Sequence, residues 1–179
     1  LALMKLSKNK LFKGIAVVYI EYVRGTPLLV QIFLVFFGLN VIGVNLSALA
    51  SSCVALSLNS GAYVAEIIRA GLNAVDKGQA EAARSLGMSQ KKAMQYIIMP
   101  QAIKNILPAL GNEFVTVIKE SSVVSVIGVS ELMFQAGVVR GASFKPFLPI
   151  LIASFIYFIL TFTLSRLLGV AERRIGAND

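Results

Sequence analysis

Five polar side chains in an apolar stretch carry the chemistry of this sequence. Asn112, Glu113, Thr116, Lys119 and Glu120 are interleaved with Phe114, Val115, Val117 and Ile118. At 100° per residue the five fall within an arc of about 120° on one helix face. That face must look into a helix bundle or a wet cavity. An ionised carboxylate in apolar surroundings is costly unless it is paired, and ionisable groups inside a membrane segment point to function by default. Lys119 and Glu120 come late in the segment, where Lys119 can pair locally. Glu113 has no Lys or Arg within one helical turn. The chemistry on offer is therefore capture of a cation. A guanidinium suits it, because a carboxylate can accept two parallel hydrogen bonds from one. Glu113 is the expected ligand for the positive end of an arginine- or lysine-like substrate, with Asn112 and Thr116 beside it. Its competing role is a purely structural bond to a neighbouring helix. Ser121 can offer a hydroxyl or backbone N–H to a substrate carboxylate if the helix breaks there.

A second polar stripe precedes it: Asn59, Tyr63, Glu66, Ala70 and Asn73 share one helix face. Tyr63 is the pathway candidate, because an aromatic face can hold a cation; packing is its other possible role. Glu66 and Arg69 form an i,i+3 pair that fits a structural tie near the inner ends of the helices. Gln31, alone in an apolar run, suits a hydrogen bond between helices.

Other chemistries are excluded by what the chain lacks. It has no histidine and one cysteine, so histidine-based catalysis, histidine or cysteine metal sites and internal disulfides are ruled out. No catalytic residue and no metal site are expected. Cys53, inside an apolar run, reads as a small core residue.

The elements that must position these groups are membrane helices. Of 179 residues, 56% are hydrophobic, and the mean hydropathy is +0.76; a soluble domain is nearer 45–50% apolar. No charge occurs for 41 residues between Arg24 and Glu66, nor for 20 residues from Pro146 to Ser165. A helix of about 20 apolar residues crosses a bilayer, and the runs do not alternate as barrel strands do. The fold class is all-α membrane protein. The net charge of +8 fits cationic loops kept on the cytoplasmic side and implies no nucleic-acid partner.

Along the chain, Lys5, Lys8, Lys10 and Lys13 mix with Leu11, Phe12, Ile15, Val18, Tyr19 and Tyr22 at helical spacing. This is a basic amphipathic helix lying along the membrane face. One span follows Pro27, a second runs through the Asn59 stripe, a third starts near Ile106, and the last covers Phe147–Leu168. A short helix near the outer surface is expected just after Gly128. Placing the N-terminal segment, the loop from Asp76 to Lys104 and the tail on one side puts twelve Lys and Arg there and two, Arg140 and Lys145, on the other. The basic side is cytoplasmic.

The loop from Asp76 to Lys104 is 29 residues long, where joining two helices needs only about 2–8. Gly87 divides it into two helical pieces. Ser89 caps the second, and Pro100 is expected to end that piece. Ala82, Ala83 and Leu86 share a side of the first piece and suit close approach to a groove, with Glu81 and Arg84 as an i,i+3 pair at its edge. The loop reads as a docking handle.

Glu81-Ala82-Ala83, three residues, Gly87, nine residues, Ile97, one residue, then Met99-Pro100 resembles the EAA loop of ABC-importer permeases, with Met99 where that family usually has Leu. "RGTPLLVQIFLVFFGL", "GAYVAEIIRAGL" and "GNEFVTVIKESSVVSVIGVSEL" resemble the polar amino-acid subfamily. The resemblance covers nearly the whole chain. It implies a type I ABC importer transmembrane domain, a single domain over 1–179 in the bacterial cytoplasmic membrane. That family fold has five spans; four are complete here, and the first is expected to be cut down to Leu1–Met4. It further implies coupling helices at Glu81–Gly87 seated in a groove of a separate ATPase subunit, which binds the ATP and Mg. A second permease chain and an extracellular amino-acid-binding protein complete the implied assembly. The chain itself has no GxxxxGK[ST] phosphate loop, so it is not the ATP-hydrolysing partner; no cofactor and no enzymatic activity of its own are expected. The rival reading is a self-sufficient secondary transporter or channel that uses the intramembrane carboxylates as an ion relay.

Overall fold

A computed structural model describes residues 1–7 and 9–176; Lys8 and the end of the polar tail lie outside the described residues. Every regular element among the described residues is helical: α1 (Ala2–Lys5), α2 (Lys10–Gly25), α3 (Leu28–Val41), α4 (Ala48–Asn73), α5 (Lys77–Ser85), α6 (Gln90–Ala93), α7 (Met99–Glu120), α8 (Leu132–Ser143) and α9 (Leu148–Gly176). A π-helical turn, Met94–Ile98, joins α6 to α7, and a 3-10 segment, Ser121–Ile127, follows α7.

Helix starts follow from short polar side chains that accept orphan backbone N–H groups. Asn9 accepts from Leu11 N at 2.9 Å, Ser47 from Ala50 N at 3.2 Å and Asp76 from Gly78 N at 2.6 Å. Pro27 starts α3 with its fixed φ.

The helices pack through small residues. Ala16, Ala55, Ala62, Ala65, Ala102 and Ser51 are buried, which lets backbones approach closely, as membrane bundles require. The tightest approach is between α4 and α7. A Cβ on Gly71 would lie 2.3 Å from Ile106 Cγ1, so only glycine fits there. Gly111 sits against Leu168 of α9, where a Cβ would be 3.4 Å from Cδ1. The long helix α7 is thereby held between α4 and α9.

α4 and α9 are each long and apolar enough to cross a membrane, and the total reaches four if each bent pair is one span. α2 and α3 meet at 108°, and the rod from Gln90 to Ile127 meets α8 at 50°. The first of the four expected complete spans is thus shorter than the sequence suggests: α3 has 14 residues, about 21 Å. Cys53 is also not a core residue; it faces outward from α4.

Pro100 does not end the helix. Gln90 to Ile127 runs as one rod, with Pro100 in the first turn of α7. In an α-helix its ring would collide with the carbonyl of Tyr96. Tyr96 lies inside the π turn, whose wider spacing accommodates the proline.

Candidate functional site

Glu113 faces α4. Its Oε1 accepts a hydrogen bond from Ser60 Oγ at 3.2 Å. It is half-buried, and among the described residues no Lys or Arg pairs with it. Among the described residues its other carboxylate oxygen accepts no hydrogen bond. Ser60 does not stand out in the sequence; its signal is that it lies three positions before Tyr63, on the neighbouring helix.

The rest of the polar arc lies on an open flank of the chain. Asn112 and Lys119 are exposed, and Thr116 and Glu120 are half-buried. Two hydroxyls are turned back onto their own helix: Thr116 Oγ1 donates to the Asn112 carbonyl at 3.0 Å and Ser121 Oγ to the Ile118 carbonyl at 2.7 Å. The α-helix does break at Ser121, but into a 3-10 segment, and there the Ser121 proton is committed locally. Its backbone N–H also bonds within the turn, to Lys119 or Val117 carbonyls.

Tyr63 does hold a cation, one supplied by the chain itself: the Arg24 guanidinium carbon lies 5.5 Å from the ring centroid. One turn further along α4, Glu66 accepts from Arg69 Nε at 2.8 Å and from Lys5 Nζ at 2.9 Å. The Glu66–Arg69 tie is present, and Lys5 extends it to α1. Gln31 links helices as its sequence setting suggests. Its Oε1 accepts from Asn59 Nδ2 at 3.0 Å, and its Nε2 donates to the Val23 carbonyl at 2.7 Å.

At the other end of the molecule Glu131 caps α8, accepting from Met133 N at 2.8 Å and Phe134 N at 2.7 Å. Tyr157 of α9 donates to the same carboxylate at 2.9 Å. The expected short helix after Gly128 is α8.

The loop from Asp76 is a helical hairpin. α5 ends in a Schellman turn: Gly87 N donates to the Arg84 carbonyl at 2.9 Å and Met88 N to the Ala83 carbonyl at 3.0 Å. Gly87 has φ of +81°, the left-handed region glycine adopts without penalty. Ser89 caps α6 through Lys92 N at 3.4 Å. α5 folds back on α6 and the π turn. Ala83 is therefore buried within the chain, while Glu81, Ala82, Arg84 and Leu86 stay exposed, Leu86 at 84%. The close approach that two alanines permit is divided: Ala83 serves the hairpin itself and Ala82 remains on the outer side.

The model of the binding-protein-dependent transport system inner membrane component matches residues 1–177. The arginine transport system permease protein ArtQ of Bacillus subtilis is 44% identical over all of this chain and 82% of its own length. A putative glutamine transport system permease of Rickettsia conorii is 43% identical over 99% of the chain and 82% of its length. The L-cystine transport system permease TcyB of Bacillus subtilis is 41% identical over 97% and 75%. Among solved structures, an amino acid ABC transporter crystallised with histidines superimposes with a TM-score of 0.93 at 55% identity, covering 97% of this chain and 81% of that one. The MetNI methionine ABC transporter, at 17% identity and a TM-score of 0.74, shares the fold. The architecture is that of a type I ABC importer transmembrane domain. The chain belongs to the binding-protein-dependent transport system inner membrane components and is an amino-acid ABC transporter permease, not an enzyme.

Proposed function

We propose that the chain is the membrane-spanning subunit of an ATP-driven importer of basic amino acids, such as arginine, lysine or histidine. The observation that carries the substrate class is the Glu113 carboxylate. It is half-buried in α7, held on one oxygen by the neutral Ser60 hydroxyl and lacking a cation among the described residues. A substrate ammonium, imidazolium or guanidinium would supply that charge. Asn112 and Thr116 lie beside it on the same face; Tyr63 and Ser121 are more distant contributors in this reading. The relatives are named for arginine, glutamine and cystine, so family membership leaves the substrate class to the site residues.

In the same reading Glu81, Ala82, Arg84 and Leu86 form the outward face of a coupling element, with Ala83 and Gly87 holding its shape. That element meets a separate ATPase subunit, which carries ATP and Mg; this chain needs no cofactor of its own. A second permease chain and an extracellular amino-acid-binding protein complete the assembly. The chain acts as a single domain over 1–179 and passes several times through the bacterial cytoplasmic membrane. A self-sufficient carrier has no use for such a handle, and the chain's family consists of subunits of larger transport systems.

Calorimetric titration of an amino-acid panel into the purified permease–ATPase complex, without the external binding protein, tests the substrate class. Wild type is expected to bind arginine, lysine or histidine in preference to glutamine. Glu113→Gln is expected to lose at least about tenfold in affinity for them, since hydrogen bonds to charged groups are worth about 1.5–3 kcal/mol. Equal binding of neutral amino acids, or an unchanged mutant, would make Glu113 a structural residue.

A further inference from the structure

The amphipathic helix α2 has two apolar sides. Ala16, Ile20 and Val23 are buried against the rest of the chain. Leu11, Ile15, Val18 and Tyr22 form a separate exposed stripe, each more than half exposed. With Gly14 as a notch and Lys10 at one end, this stripe lines an apolar groove of about 590 Å³. A Cβ on Gly14 would meet nothing within 4 Å. On the helical wheel, Lys10, Lys13, Glu21 and Arg24 occupy the remaining sector. The 108° bend to α3 turns α2 nearly across the direction of that apolar helix. With α3 taken as the crossing segment, a helix that precedes it at that angle lies in the membrane plane, and the basic N-terminal end belongs to the cytoplasmic side.

We propose that α2 binds an anionic phospholipid of the cytoplasmic leaflet. One acyl chain lies along Leu11, Ile15, Val18 and Tyr22 across the Gly14 notch. The phosphate meets Lys10, and Lys13 adds to the attraction from the polar sector. Charge complementarity selects this occupant. α2 carries Lys10, Lys13 and Arg24 against Glu21, and an anionic leaflet attracts each lysine held near its surface.

Fluorescently labelled phosphatidylglycerol and phosphatidylcholine, each titrated into the detergent-purified permease–ATPase complex, test the assignment. Phosphatidylglycerol is expected to bind at least about fivefold more tightly than phosphatidylcholine, the size of one lysine's attraction to an anionic surface. Lys10→Gln is expected to reduce that preference, and Lys10→Gln/Lys13→Gln to abolish it. Gly14→Leu, which fills open space, is expected to weaken both lipids. Equal binding of the two lipids by wild type, or a preference untouched by Lys10→Gln, would overturn the proposal. So would Gly14→Leu dissociating permease pairs on a sizing column, because the groove would then be an interface between copies.

Discussion

Replacing Asn59 with Leu keeps the branched shape of the side chain and removes its hydrogen-bond donor. The loss falls on Gln31, which is 7% exposed and whose Oε1 takes its bond from Asn59 Nδ2. A buried acceptor left unsatisfied costs about 1–3 kcal/mol. Asn59→Leu is therefore expected to lower the thermal midpoint of the purified permease by several degrees. An unchanged midpoint would mean that the pair contributes no stability. At this scale the sequence is informative where a side chain contradicts its immediate surroundings. A lone amide in an apolar run gives Gln31 its role, and an i,i+3 spacing gives Glu66 and Arg69 theirs. Lys5 joins that pair from 61 positions away, and no local pattern relates two such residues. Arg24 over Tyr63 is hidden for the same reason. The sequence offers the Tyr63 ring to a substrate cation; the Arg24 guanidinium that lies over it comes from a distant part of the chain.

Between elements, the closest approach offers a sharp test. The position a Cβ would take on Gly71 is 2.3 Å from Ile106 Cγ1 and 3.4 Å from the Ala102 carbonyl oxygen. Gly71→Ala is expected to push α4 and α7 apart at a cost of about 1–3 kcal/mol, the usual range for overpacking. The double variant Gly71→Ala/Ile106→Ala is expected to lose less than the sum of its singles, because each relieves the crowding the other meets. Strict additivity in thermal unfolding would show that the two residues do not compete for the same space. Helix existence was legible from charge-free runs and from the Ser89 cap, because those signals are local; the Ser47 cap of α4 reads in the sequence only as part of a turn. The course of the rod from Gln90 to Ile127 was not. Proline in a helix interior reads as a stop, and the π turn that accommodates Pro100 depends on backbone spacing over five residues, which composition does not encode. The division of Ala82 and Ala83 between outside and inside depends on the hairpin folding back, again a non-local event.

Across the whole molecule, one continuous rod joins the proposed coupling element to the proposed substrate carboxylate. α5 rests on α6 and the π turn, these continue into α7, and Glu113 lies on α7 against Ser60 of α4. If the ATPase drives transport by moving α5, hairpin and rod must travel together, and the displacement must appear as sliding or tilting of α7 against α4. Gln79 on α5 and Gln101 on α7 place their side-chain amides 3.4 Å apart, so cysteines at both positions can be bridged by a short bifunctional thiol reagent. Cys53 is the only native thiol, and Cys53→Ser provides the background. Bridging Gln79→Cys to Gln101→Cys is expected to leave ATP-driven uptake in proteoliposomes near its uncrosslinked level, since it joins parts that already move as one. The contrasting pair, Ser60→Cys on α4 and Thr116→Cys on α7, spans the boundary that must shift, and bridging it is expected to stop uptake while the partner's ATP hydrolysis continues. Loss of uptake with the first bridge would place the moving joint at the hairpin instead, and the rod would then be a passive connection between the handle and the site.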